Sequence, residues 1–456
     1  MNKFVPQRIY KHIWTSVKLD DLLIEKKQVA EEGIDISSVQ DEFAALEQLE
    51  NLDTVELQER ATALLDTIQT LPLVAGYPHR EPSDLETIRA ERPVPVVLPT
   101  AVPDDATILN KVLGGWQGRA SGCLLGKPVE GEKSVQMRKY LEAQGRWPLA
   151  GYFSNQVPAA MAQETDIHKR FTGVYEEDIT CMIEDDDTNY TVTGLAIIEI
   201  YGADFQPNDV ADFWMGNIPF LHVCTAERVA YLNFAEGIVP PDSARYRNVY
   251  REWIGAQIRA DFFGYVNPAN PVRAAEYAWR DASISHVKNG IYGEMWVAAM
   301  LAAAYVCDDV ITVIRAGLAQ IPANCRLTKN IEHIINLYID GVSYDDAIAD
   351  VRTRWDEYSK HDWCHTISNA EIVAVALLWG EKDFEKTITM SVIPGFDTDC
   401  NGATSGSILG IILGAAALPA KWIAPMNDTL LTGVAGYHKV SLKDMASKTL
   451  ELIKKI

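Results

Sequence analysis

The chain has 456 residues, 48% of them hydrophobic and 23% charged, with a formal net charge of −22. That length allows a large core and, as a prior, two or three domains unless one fold takes most of it; the acidity repels polyphosphate and anionic lipid, which argues against nucleic-acid and membrane partners. Seven scattered cysteines with no C-x-x-C pair exclude a disulfide framework or a zinc cage and fit a reducing cytoplasm, and the opening MNKFVPQRIYKHIWTSVKLDD carries charges throughout and shows no export signal.

Residues 17–72 read as two or three polar amphipathic helices, with apolar residues three and four apart among Glu, Gln and Lys. The stretch YPHREPSDLETIRAERPVPVVLP then supplies five prolines and little periodicity, which marks a connector. These features predict a helical extension over 1–104 and a main body over 105–456. In the body the apolar pattern is helical: GEMWVAAMLAAAYVCDDVITVIRAGLAQI and NAEIVAVALLWGEKDFEKTITMSVI are long and Ala-rich, and an all-α globule is expected. The apolar run from Gly402 to Pro419 is short for a bilayer and begins beside two aspartates, so it reads as a buried core helix.

Two glycine stripes stand out, Gly114, Gly118, Gly122 and Gly126, and Gly402, Gly406, Gly410 and Gly414, each at i+4 spacing. Glycine inside a helix costs about 1 kcal/mol relative to alanine, and close helix-to-helix approach is the compensation that small-residue stripes provide.

Acidic residues crowd two places that both lead into apolar helices: Asp185, Asp186 and Asp187 in IEDDDTNYT, and Asp397 and Asp399 in PGFDTDCNG. Carboxylates at a helix N-terminus are explained by capping and the helix dipole. Two such acidic mouths converging would instead make a site for hard divalent cations such as Mg²⁺, Mn²⁺ or Ca²⁺, because like charges packed together need positive charge among them.

In this order the segments resemble the ADP-ribosylglycohydrolase family. GCLLGKPVEG is similar to its small-residue helix closing in G-x-P-x-E, DDDT to its T-D-D-T motif, IGAQIRADFFGY to its G-x-x-x-x-R segment, ISHVKNGIYGEMW to its T-H loop, and PGFDTDCNGATSG to its closing G-G-D-T-D. The likeness spans roughly residues 105–420 and implies a compact multi-helix fold holding two Mg²⁺ ions, with Mn²⁺ as an alternative. It implies that Asp185, Asp186, Asp187, Asp397 and Asp399 lie on metal-ligand positions, that Glu130 and Asp186 carry the catalysis, and that Gly255, Ala256, Arg259 and His286 lie where substrate binds. Asn289 and Tyr292, beside Gly290 and Gly293, are read from the residues themselves as candidates to bind polar substrate groups, with a plain turn as the alternative. The implied reaction is hydrolysis of an N- or O-glycosidic bond to ribose in a small-molecule or protein-linked ADP-ribosyl substrate.

The sequence departs from the family pattern at Asp185, where threonine is usual, at Cys400, where Thr or Ser is usual, and at Cys123, where many relatives carry aspartate. Two rival readings follow: a hydrolase of a small riboside or nucleoside, and a non-catalytic, crystallin-like or binding protein. His361 and His365 have the i, i+4 spacing of a metal pair but no accompanying H-E-x-x-H, and read as structural; Trp147, Tyr152 and Phe153 read as core aromatics.

Overall fold

In the computed structural model, residues 16–99 and 101–456 are described; the first fifteen, where the absence of an export signal was read, lie outside them. The described chain is all-α apart from one small antiparallel pair, Thr429–Leu431 with Lys439–Ser441, in which Leu430 faces Val440. Among the described residues no helix is long and apolar enough to cross a membrane.

The expected N-terminal helices form at Leu19–Glu31, Gln40–Glu47 and Val55–Ile68. The proline-rich connector is less irregular than its sequence suggests, because Asp84 accepts a hydrogen bond from the Thr87 amide and starts a short helix, Leu85–Ala90. The polar face of the first helix is not solvated. Glu25, Gln28 and Glu32 are buried, with Gln28 Nε2 donating to Glu252 at 2.6 Å and Arg251 pairing Glu25 and Glu32 at 2.6 and 2.7 Å.

At the centre lie two helices that are buried almost all round, Lys288–Ala304 and Thr366–Trp379. Amphipathic helices such as Pro271–Ala282, Val310–Leu318 and Arg326–Ile339 pack around them and bury one face each. Both long Ala-rich stretches predicted from periodicity are interrupted. The first breaks after Ala304, where Asp309 caps a new helix by accepting from the Thr312 amide. The second breaks at Gly380, followed by Glu381 and Lys382 at positive φ.

The glycine stripes face each other. Helix Asp105–Gly126 runs antiparallel to helix Thr398–Leu413, which ends at Gly414 with φ +78°. A Cβ on Gly114, Gly118 or Gly122 would fall 2.2, 2.1 or 1.9 Å from the carbonyl oxygen of Gly410, Gly406 or Gly402 respectively. The reverse holds as well: a Cβ on Gly402, Gly406 or Gly410 would lie 2.2, 2.2 or 2.1 Å from the oxygen of Gly122, Gly118 or Gly114. Any side chain here would occupy backbone, so the helices touch main chain to main chain. At one end of the seam Gly126 abuts Thr398, whose hydroxyl donates to the Gly126 carbonyl at 2.9 Å. That contact delivers Lys127 and Glu130 to the same place as Asp397 and Asp399.

Candidate active site

Three chain segments meet where the glycine seam ends. Helix Asp186–Tyr201 begins there with Asp185 as its cap, Asp185 Oδ1 accepting from the Asp187 amide at 3.0 Å. Asp185 thus caps its helix while standing where the three segments meet. Helix Thr398–Leu413 contributes Asp397 just before its first turn and Asp399 within it. The turn Lys127–Val129 and its closing residue Glu130 complete the group. Asp185, Asp187, Asp397 and Asp399 are buried, while Asp186 and Glu130 are half-buried and Asp186 lines the opening.

Lys127 stands among these acids, with its Nζ 2.6 Å from Asp185, 2.8 Å from Glu130 and 3.2 Å from Asp399. Asp187 is held from behind: Arg119 donates to its Oδ1 at 3.1 Å and to Asp261 at 2.7 Å, and the Cys400 thiol donates to its Oδ2 at 3.2 Å. Asp397 Oδ2 accepts from the Cys364 thiol at 3.3 Å. Burial pushes all three neighbouring thiols, Cys123, Cys364 and Cys400, well up, with the site's carboxylates adding to it. They therefore stay protonated and act as donors.

Desolvation, then the neighbouring acids, push Asp186 and Asp397 well above the usual carboxylate range. Asp187 is raised by desolvation despite Arg119. Glu130, with a third of its surface still open, is pushed up to about 7 by desolvation first and Asp399 next. Asp185 goes the other way, because against desolvation the Lys127 ammonium holds it below the usual range. Six acids are thus set against Lys127 and an Arg119 shared with Asp261. Asp399 Oδ1 is buried with no hydrogen-bond partner. Hard oxygen donors, surplus negative charge and an orphaned carboxylate oxygen fit a divalent cation of the Mg²⁺ or Mn²⁺ kind. A cavity of about 240 Å³ opens onto the group, lined by Lys127, Asp185, Asp186, Asn189, His222 and Cys224.

The other residues singled out in the sequence lie elsewhere. Arg259 is 1% exposed and its guanidinium is taken up by Asp281 at 2.7 Å, Glu227 at 3.0 Å and Glu294 at 3.7 Å. Gly255 lets the Glu227 carboxylate approach, since a Cβ there would lie 1.9 Å from its Oε1, and Ala256 is buried beside it. This segment backs the acids indirectly, through the Ile258 carbonyl that accepts from Arg119 at 2.6 Å. Asn289 donates to Glu252 and Glu81, and Tyr292 to the Pro82 carbonyl, so both hold the N-terminal segment. His286 is buried, with Nδ1 2.8 Å from the Ser285 hydroxyl. It borders a second cavity of about 680 Å³ between the N-terminal helices and the body, one that includes none of the acids.

His361 and His365 do converge with Glu31. Their Nδ1 atoms accept from Trp253 Nε1 at 3.3 Å and from the Ile367 amide at 3.1 Å. Each Nε2 is turned toward Glu31, that of His361 at 3.4 Å and within hydrogen-bond reach, that of His365 at 3.7 Å, buried and without a hydrogen-bond partner. Lys127, Arg119 and His222 were not singled out in the sequence. Lys127 sits in the quoted GKPVEG, yet only the meeting of three distant segments gives it partners.

The architecture and the site together define an all-α protein with a carboxylate-rich centre built at the mouths of its helices. A family model described as ADP-ribosylglycohydrolase matches residues 104–455, and the chain belongs to that family, which points to a glycohydrolase. No curated protein matches. Among solved structures, one described as an ADP-ribosylglycohydrolase-related protein complex is similar over 76% of this chain and 99% of its own, at 16% identity and a TM-score of 0.48.

Proposed function

We propose that the protein is a divalent-metal-assisted hydrolase of an N- or O-glycosidic bond to ribose, with an ADP-ribosyl group as the first substrate class, residues 105–456 forming the catalytic unit and 1–104 an extension. The observation that carries this reading is the convergence of Asp185, Asp187, Asp397 and Asp399, with Glu130 tied to them through Lys127, beside a cavity that Asp185 and Asp186 line. Asp186, Asp187, Asp397 and Asp399, with Asp185 beside them, are the residues that would hold the metal, Mg²⁺ or Mn²⁺. Bound there, the ion would orient ribose hydroxyls and make water more acidic.

Cleavage of a ribosyl bond passes through an oxocarbenium-like state and needs a positioned water and an acceptor for its proton. Glu130 and Asp186 are the half-buried acids of the group, Asp186 lining the cavity, and either carboxylate would take that proton. The Lys127 ammonium tethers Glu130 at 2.8 Å and limits its wandering. Arg119 fixes Asp187 from behind and so orients the acidic helix mouth. For Gly255, Ala256, Arg259 and His286 the support for substrate binding is the family resemblance, and for Asn289 and Tyr292 their polar side chains; in this structure Arg259, Asn289 and Tyr292 are engaged within the protein.

A second reading, hydrolysis of a small riboside or nucleoside, is favoured by the cavity of about 240 Å³, below the roughly 300–1,000 Å³ typical of sites for larger ligands. Purified protein with Mg²⁺ or Mn²⁺, assayed against ADP-ribosyl-arginine, ADP-ribosyl-serine and a nucleoside panel, separates the two. Turnover of ADP-ribosyl compounds is expected; turnover of nucleosides alone would replace the first reading by the second.

A further inference from the structure

An ammonium has three N–H donors, and in Lys127 each meets its own carboxylate: Asp185 Oδ2 at 2.6 Å, Glu130 Oε2 at 2.8 Å and Asp399 Oδ2 at 3.2 Å. These acids come from three separated parts of the chain. The lysine is not a surface side chain that happens to reach inward, since it is only 14% exposed and its ammonium lies over the Phe171 ring at 5.5 Å. Its backbone is fixed too, because Gly126 before it is packed against Thr398.

The metal-capable groups of the site fall into two overlapping sets. One is Cys123, Asp185, Asp187 and Asp399, the other Asp397, Asp399 and Cys400. The first set is satisfied from within. Lys127 takes Asp185 and one oxygen of Asp399, Arg119 and Cys400 take both oxygens of Asp187, and Cys123 offers only a protonated, soft sulfur. The second set keeps Asp399 Oδ1, buried and without a partner, and Asp397, whose Oδ2 accepts from the weak Cys364 thiol donor.

We propose that Lys127 is a resident cation that occupies one of the two ion positions of this acidic centre, so that the protein takes a single divalent ion and the ligand set named above narrows to its Asp397 and Asp399 side. The proposal rests on the metal-assisted reading above and adds a stoichiometry and a residue to it. A fixed monovalent charge in one position holds Asp185 and Glu130 in place at any divalent-ion concentration, and leaves only the second position responsive to it.

The test is a count of ions. Full-length protein freed of metal is titrated with Mn²⁺, with free Mn²⁺ followed by electron paramagnetic resonance and Mg²⁺ used as competitor. The wild type is expected to bind one ion per chain, Lys127→Met two, and Lys127→Arg, which keeps the charge, one. Removing the neighbouring positive charge should also tighten the first ion on the order of tenfold. Two ions in the wild type overturn the proposal even if no variant folds, as does a folded Lys127→Met that gains none. Absence of binding in both proteins overturns the metal reading itself, together with this inference.

Discussion

Alanine at Gly118 tests whether the seam is as close as the structure has it. Its Cβ would lie 2.1 Å from the Gly406 oxygen and 2.8 Å from the Gly406 carbonyl carbon, against an ordinary contact of about 3.5 Å. The obstacle is main chain, so no rotamer can relieve it, and the helices must part by about 1 Å or bend. Overpacking of this sort costs about 3 kcal/mol, at the upper end of the usual range, and the better helix propensity of alanine returns about 1 kcal/mol. A net loss of about 2 kcal/mol is expected in urea unfolding followed by circular dichroism. The seam sets Glu130 against Asp397 and Asp399, and a misplacement of that size costs about a hundredfold in rate. Gly216→Ala is the control, because that helical glycine has nothing within 4 Å of its would-be Cβ, and it should be neutral or slightly stabilising. Equal stability of Gly118→Ala and the wild type would refute the backbone-contact argument.

Asp397→Asn should abolish both divalent-ion binding and turnover, and chelation of the wild type should stop turnover reversibly; retention of either property in the variant sinks the assignment of Asp397. Arg259→Met leaves Glu227, Asp281 and Glu294 buried without their cation, and a loss of about 3–5 kcal/mol in urea unfolding is expected, with a loss below about 1 kcal/mol counting against the network. His286 is held well below the ordinary histidine range, by desolvation first and then by Arg259. Its unfolded form therefore takes up a proton below about pH 6.5 while the folded form does not, and stability should fall as pH drops from there, by at most about 1.4 kcal/mol per unit. Replacement by glutamine should flatten that slope in unfolding curves taken from pH 7.5 to 5.5; an unchanged slope would assign it to other groups.

The parts of the molecule legible in sequence are those where a local cost signals a distant partner. Seven helical glycines are unfavourable alone, so their spacing announced a seam, and the antiparallel contact of Gly114–Gly126 with Gly402–Gly410 is that seam. Clustered aspartates are unfavourable alone for the same kind of reason, and Asp185–Asp187 and Asp397–Asp399 do meet around one centre. What stayed hidden carries no local cost. Lys127 between a glycine and a proline looks like any solvated lysine, and its three carboxylates are brought to it from up to 272 residues away. Arg119 and Arg251 likewise show nothing in their neighbours of the buried pairs they make. The first helix reads as amphipathic with a wet polar face, whereas Glu25, Gln28 and Glu32 bury that face against charges of the body. Periodicity reports that a face differs, not which face is covered. Helix ends were missed at Asp309 and Gly380 because one cap or one positive-φ pair breaks a helix without disturbing the apolar rhythm on either side.

The hydrogen on each seam glycine that stands in place of a side chain points at a carbonyl oxygen of the opposite helix, and the three glycine pairs exchange such contacts reciprocally. These are Cα–H···O contacts, each worth about 0.5–1 kcal/mol, and they behave as teeth. Sliding one helix along the other loses every tooth at once, and none re-engages until the shift reaches about one helical turn, 5.4 Å. The seam is therefore an index with discrete stops. It fixes the distance between the Lys127–Glu130 turn and the Asp397–Asp399 mouth from a row of main-chain contacts several turns long, so the spacing of the charged centre is set by backbone geometry and does not drift as side chains around it repack.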